Sequence, residues 1–222
     1  MGKNRNYSEE IALRNKRLLK RTKRWKQVER RIHPLIESFN VIRQSAWDKK
    51  IKSELYRYIP IGSIACLEGW YRIAVANLID SNPKCRCNAE SFREPKFEVR
   101  DVLAVHYRHL TAGELVAHML PMNRLRDVND SLTTIIGSDF TELFKSVCIN
   151  PKRAPNPVTF GAEAGLIFKD VKDTFDLRHI FSHELATSMV VSAQRYENCI
   201  FSVFMYLVGA ERVIQNLLGE TA

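Results

Sequence analysis

The sequence predicts an all-α protein, and three observations lead to that fold class. Apolar residues recur at helical spacing along most of the chain. No β-hairpin pattern, glycine-rich phosphate loop or internal repeat interrupts this spacing. The 222 residues, of which 45% are hydrophobic and 27% charged, are enough for one large globular domain with a sizeable core. We therefore expect a helical bundle.

The beginning of the chain is strongly basic. We expect residues 1–33 to form a helical extension of a bundle domain in residues 34–222. The chain has 34 Lys and Arg against 25 Asp and Glu, a net charge of +9 that favours a polyanionic partner. Two interpretations of the extension stay open. It is either a solvated helix packed on the domain or a phosphate-binding arm, with Arg21, Arg24 and Lys26 as candidate contacts.

Cysteine usage and hydropathy lead us to expect a soluble, cytoplasmic protein. The spacings of the five cysteines suggest no disulfide framework, and we identify no secretory signal. Cys85 and Cys87 have one residue between them, whereas a zinc site usually has two, so we expect no metal there. The most apolar run, residues 199–210, is too short to span a bilayer.

Two helices are predicted in the first half of the bundle. Pro34 and Pro60 bracket the first of them. The second starts near Gly62 and Ser63 and stops at residues 80–83, where an Asp-Ser-Asn-Pro sequence ends it. Because this second helix is apolar on almost every side, we expect it at the centre of the bundle.

The predicted central helix carries two charged residues four positions apart, Glu68 and Arg72. Residues at this spacing lie on one face of a helix, and buried charges are costly unless they are paired or used. Two interpretations remain: a structural ion pair, or a carboxylate held next to an active site.

The second half of the chain is predicted to be helical between two loops. The loops are residues 81–97 and the proline-rich residues 149–161, and the helices between and after them cover residues 98–119, 126–148 and about 162–175. A heptad-like apolar stripe from Met189 to Leu217 predicts one long last helix.

The segment DLRHIFSHELA, residues 176–186, holds the candidate site. We place its arginine and histidine at or just before the N-terminal turns of the last helix, with Asp176 as the cap, where exposed amides and the helix dipole favour a phosphate. Arg178 offers a planar cationic fork for phosphate oxygens, and His183 can exchange a proton near neutral pH. These are the groups that metal-independent RNA cleavage needs: a proton carrier and a cation that stabilises the crowded transition state.

The order arginine, polar residue, three variable residues and histidine, on a late helix of an all-α domain, resembles the signature of HEPN domains (higher eukaryotes and prokaryotes nucleotide-binding). Here Arg178, His179 and His183 occupy its positions. The segment SIACLEGWYRIAVANLI, with Glu68, is similar to the glutamate-bearing early helix of several HEPN nuclease subfamilies. The resemblance spans about residues 40–218 and rests on these two stretches.

The resemblance implies a helical-bundle endoribonuclease that dimerises and places the motifs of both chains in one cleft. Such enzymes cut RNA without a metal ion or cofactor and leave 2′,3′-cyclic phosphate and 5′-hydroxyl ends. By this resemblance Arg178 stabilises the scissile phosphate, His183 transfers protons and His179 orients them, with Glu68 and Ser182 in support. RNA is then the expected substrate of a homodimer.

Many HEPN nucleases act as toxins or effectors in prokaryotic defence, including toxin–antitoxin and abortive-infection systems. The resemblance therefore also implies an antitoxin or another regulatory protein as a partner. It gives no reason to expect a membrane or a bound metal.

Two other functions stay open. HEPN domains without catalysis serve as RNA-binding or dimerising modules, although such a module does not need both Arg178 and His183. Alternatively, His179 and His183 lie four positions apart on one helical face and, with Glu184, could bind a metal ion. A catalytic metal site would require a further ligand that the sequence does not offer convincingly.

Overall fold

The computed structural model describes residues 24–92, 99, 103, 106–107, 110–148, 159–161, 163–184 and 189–219. The helices in these ranges are α1 (Arg24–Gln44), α2 (Lys49–Tyr56), α3 (Tyr58–Ser81), α4 (Pro83–Ala89), α5 (Ala112–Met119), α6 (Leu125–Ile136), α7 (Phe140–Ser146), α8 (Ala164–His183) and α9 (Ala193–Leu218). The β-structure in this part of the chain is a single bridge between Cys148 and Thr159. The predicted all-α class is confirmed.

Helix α3 is the centre of the bundle, as its apolar sequence predicts. It packs against α1, α5, α8 and α9. Leu67, Tyr71 and Leu78 on this helix are completely buried. Helix α5 comes so close that a Cβ atom on Gly113 would lie 2.5 Å from the carbonyl oxygen of Ala76. The glycine that interrupts the predicted helical pattern is therefore required by close packing.

Helix α1 runs through Pro34 without a break, so the boundary predicted between residues 33 and 34 falls inside a helix. Val28 and Ile32 before the proline and Phe39 after it are all buried. A proline inside a helix removes one backbone hydrogen bond, and burial on both sides of Pro34 offsets that loss. Residues 24–33 therefore belong to the bundle and are not a separate extension.

Pro60 and Pro83 lie at helix starts. Helix α3 begins at Tyr58, earlier than predicted, and Pro60 lies in its first turn, where its missing amide costs no helical hydrogen bond. Pro83 is the first residue of α4, and the Asn82 side chain accepts the amides of Lys84 and Cys85. The predicted loop in residues 81–97 thus contains a short helix.

The predicted position of the candidate motif is wrong. Helix α8 does not stop near residue 175 but continues to His183, and α9 begins only at Ala193. Asp176 lies inside α8, where it forms an ion pair with Lys172 at 2.9 Å, and does not cap a helix. The cap of α9 is Ser192. The segment from residue 178 to residue 183 is therefore the C-terminal end of α8.

The apolar stripe of the last helix is confirmed between Tyr196 and Ile214, whereas Ala193 is exposed and Leu217 is only partly buried. The buried positions of the stripe include Tyr196, Ile200, Val203, Leu207, Ala210 and Ile214. Met189, which the stripe also included, precedes the helix. Within the described ranges, no helix combines the length and the apolar composition that crossing a membrane requires.

A buried polar network joins three helices around Glu211. Its carboxylate accepts hydrogen bonds at 3.2 Å from both Nε and NH2 of Arg24, at 2.7 Å from Nε1 of Trp70, and at 3.1 Å from the amide of Gln215. Arg24 is only 4% exposed and Glu211 5%. Because a buried charge is tolerated only when it is paired and hydrogen-bonded, this network determines how α1 docks on α3 and α9.

We predict that Glu211→Ala lowers the free energy of unfolding by about 3–5 kcal/mol, because it leaves the Arg24 guanidinium buried without its partner. Chemical denaturation measures this difference. The matched control is Asp130→Ala, which breaks the exposed ion pair between Arg126 and Asp130 on α6. That change should cost less than about 1 kcal/mol. Equal costs for the two variants would contradict a structural role of the buried network.

Candidate functional site

The candidate motif lies at one end of the bundle, over a small apolar core. Phe39, Tyr56 and Tyr196 belong to this second cluster of buried residues, and Phe181 of α8 packs against it. The Arg57 guanidinium lies 5.9 Å from the centre of the Phe181 ring. These contacts hold the last turn of α8 against the α2–α3 junction and the start of α9.

Arg178 and Glu68 form an ion pair between α8 and α3. NH2 of Arg178 donates to Oε1 of Glu68 at 3.0 Å, and the two side chains are 26% and 23% exposed. The structure thus brings together the two sequence stretches that carry the resemblance. Among the described residues, the hydrogen-bonded partner of Glu68 is Arg178 and not Arg72.

The two histidines of the motif lie one turn apart on the surface of α8, with their ring planes tilted by 51°. The ring centres of His179 and His183 are 5.0 Å apart, and both residues are exposed. Ser182 is also exposed and lies one turn after Arg178. Arg178 and His183 are five residues apart, which separates them by about 140° around the helix axis. Within the described part of one chain, no hydrogen bond joins these two side chains, and Arg178 donates to Glu68 instead.

The helix end at the motif has the opposite polarity to the one predicted. His183 is the last residue of α8, and the amide of Glu184 closes the helix on the carbonyl of Ile180 at 2.9 Å. A C-terminal helix end exposes carbonyl oxygens and carries partial negative charge. It therefore offers no amide cradle for a phosphate, and an anion here has to be bound by cationic side chains.

The three candidate RNA contacts near the start of the chain have different outcomes. Arg21 lies outside the described residues. Arg24 is buried in its ion pair with Glu211 and cannot reach a phosphate, so that prediction is wrong. Lys26 is exposed on α1, and Arg30 is exposed one turn further along the same face.

Two other potentially reactive side chains near the motif are buried in unreactive states. Burial raises the pKa of the Cys199 thiol, although a hydrogen bond with the Thr174 side chain lowers it in part. Burial likewise raises the pKa of Tyr196 to about 12, against the opposing effect of Arg57. Both groups stay protonated near neutral pH, so neither is suited to act as a nucleophile or a base there.

A metal centre finds no support in the side-chain geometry. Within the described ranges, no three His, Cys, Asp or Glu side chains come together as ligands for one ion. Cys85 is buried whereas Cys87 is exposed, so the two cysteines face different environments.

The spacing along α3 predicts that Arg72 is an ion-pair partner of Glu68. In the structure, the Nε atom of Arg72 is buried and forms no hydrogen bond within the described part of the chain. The signal available in the sequence was its position one turn after Glu68 on an otherwise apolar helix.

Comparisons of the chain with protein-family models, with curated proteins and with solved structures find no match. The chemistry of the site therefore has to be argued from its own residues.

We predict that Arg178→Ala and His183→Ala both leave the fold intact. The first variant loses a partly exposed ion pair and the second an exposed side chain, so we expect losses of about 1 kcal/mol and about 0.5 kcal/mol or less in unfolding free energy. Chemical denaturation and the helical circular dichroism signal check this. A collapse of either signal would mean that the residue is needed for folding and would remove it from the candidate site.

Proposed function

We propose that the protein is a metal-independent endoribonuclease of HEPN type, acting in the cytoplasm as a toxin or effector in prokaryotic defence. The observation that carries the proposal is the ion pair between Arg178 and Glu68 beside the exposed His179 and His183. The two stretches that resemble HEPN sequences are 110 positions apart in the chain, yet they meet in space. A surface that presents an oriented arginine and accessible imidazoles has the groups for phosphodiester cleavage.

In the proposed reaction, the ribose 2′-hydroxyl attacks the adjacent phosphorus and the bond to the 5′ oxygen breaks. A histidine accepts the proton from the attacking hydroxyl, and a protonated histidine donates one to the leaving oxygen. Arg178 neutralises charge on the phosphate oxygens as the transition state forms. Glu68 keeps the guanidinium in one orientation, so that it does not have to be ordered during the reaction.

The angular separation of Arg178 and His183 on α8 favours a site built from two chains. Side chains about 140° apart on one helix do not converge readily on one phosphate. A two-fold dimer that pairs the exposed ends of α8 would place His183 of one copy near Arg178 of the other. It would also supply two histidines for the two proton transfers. A homodimer is therefore part of the proposal, and an antitoxin or other regulatory protein is its proposed control.

The direct test is incubation of wild-type protein and the His183→Ala variant with cellular RNA in excess EDTA. We expect the wild type to produce 2′,3′-cyclic phosphate and 5′-hydroxyl ends and the variant to produce none, because the proton carrier is lost. Chemical identification of the new ends measures this. Cleavage that stops in EDTA would contradict the metal-independent mechanism. RNA binding without cleavage by the wild type would favour the alternative of a non-catalytic RNA-binding or dimerising module.

The exposed cations of α1 provide a separate test of RNA binding. If Lys26 and Arg30 contact phosphates, replacing both by Gln should lower the slope of log affinity against log salt by about 1.4 for single-stranded RNA. Replacing Arg126 and Lys145 by Gln removes two charges from α6 and α7 and is the matched control. Fluorescence anisotropy at several salt concentrations gives the slopes. An unchanged slope in the Lys26 and Arg30 variant would assign α1 to packing alone.

A further inference from the structure

Arg72 stands out on the central helix as a charge without a partner among the described residues. Between its first residue and Asp80, α3 carries only Glu68 and Arg72 as charged residues. The Arg72 side chain is partly buried, its Nε is shielded from solvent, and within the described ranges it forms neither an ion pair nor a side-chain hydrogen bond. Buried donors in native proteins are nearly always satisfied, so an exception of this kind requires an explanation.

Glu68 lies one turn before Arg72 on the same helix, but its carboxylate is already hydrogen-bonded to another arginine. Glu68 precedes Arg72 by four residues, the orientation in which glutamate and a basic residue pair best along a helix. The carboxylate instead accepts a hydrogen bond from Arg178. Among the described residues, Arg178 is therefore paired with Glu68, and Arg72, one turn away on α3, is not paired.

The charges around Glu68 leave a surplus of one positive charge. Glu68 and Arg178 cancel each other, and Arg72 adds +1 to the sum. Of the acidic residues on and after α8, Asp173 is paired with Arg195 at 3.5 Å and Asp176 with Lys172 at 2.9 Å, whereas Asp170 and the exposed Glu184 form no ion pair among the described residues. The C-terminal end of α8 does not attract anions, so an anion at the ion pair of Glu68 would depend on the charge of Arg72.

We propose that Arg72 is a second phosphate-binding residue of the site, which holds the RNA phosphate next to the one that Arg178 contacts. This inference rests on the proposed nuclease function. The planar guanidinium forms two parallel hydrogen bonds with phosphate oxygens, and since only Nε of Arg72 is buried without a partner, a phosphate would be bound through the two terminal nitrogens. Residues four apart on a helix have Cβ atoms about 5–6 Å apart, so Arg72 is close to the ion pair of Glu68.

The test measures RNA binding in the cleavage-deficient His183→Ala background. A fluorescent single-stranded RNA is titrated with this protein and with versions that also carry Arg72→Gln, Arg72→Lys or the control Arg126→Gln. Arg72→Gln should weaken binding by about threefold to tenfold and lower the salt slope by about 0.7, the value for one phosphate contact on a single strand. Arg72→Lys should keep the slope and lose part of the affinity, because lysine supplies the charge without the planar fork.

A purely structural role for Arg72 has a different signature. It would lower the unfolding midpoint in both the Gln and the Lys variants and leave the salt slope at the value of the Arg126→Gln control. That outcome would overturn the inference. In the catalytically intact protein, Arg72→Gln should raise KM with little change in kcat, whereas loss of Arg178 should lower kcat.

The outcomes separate this inference from the proposed function. If the wild type cleaves RNA and Arg72→Gln changes neither slope nor KM, the second phosphate site is wrong and the nuclease remains. If the wild type neither binds nor cleaves RNA, both are wrong. If Arg72→Gln shifts slope and KM as expected, the second phosphate site is supported.

Discussion

Burial of α3 against α1, α5, α8 and α9 is the constraint on which the rest of the structure depends. A helix enclosed on so many sides has to be apolar almost all round, and any charge on it needs a defined partner. Trp70 on α3 donates to Glu211 of α9, which also binds Arg24 at the start of α1. The position of the central helix therefore determines where the polar groups of its neighbours can be paired.

Much of this core could be predicted because periodicity and burial act locally. The alternating apolar positions of α9, from Tyr196 to Ile214, are buried as the stripe predicted. The central position of α3 followed from its composition in the same way. Such patterns are reliable because a residue on the inner face of a helix stays there whatever the exact ends of the helix are.

Helix ends were predicted less well, because long-range packing decides them. Pro34 looked like a boundary, yet Val28 and Ile32 on one side fill the main core, Phe39 on the other fills the second cluster, and this burial keeps α1 continuous. Between α8 and α9 no glycine or proline marks a break, since residues 184–192 contain neither. The available signal was Ser192, whose hydroxyl caps α9 by accepting the amide of Arg195.

The candidate site shows the same division between local and long-range signals. Local spacing favoured a pair between Glu68 and Arg72, and only the packing of α8 on α3 provides Arg178 as the competing partner. An arginine from another helix can approach a carboxylate with its planar fork, and Arg178 is the arginine that the packing of α8 supplies. The contact could not be predicted from spacing because it depends on how two distant helices are aligned.

The location of the motif at the C-terminal end of α8 changes what the proposed nuclease chemistry requires. At a helix N-terminus, backbone amides would share the work of holding a phosphate. At this end, carbonyl dipoles and Glu68 both repel the anion, and one arginine that is already paired with a carboxylate only restores neutrality. Phosphate binding then requires a further cation close to Arg178, either from the same chain or from a second copy. Arg72 meets that requirement within one chain, whereas His183 of a second copy would meet it only in its protonated form.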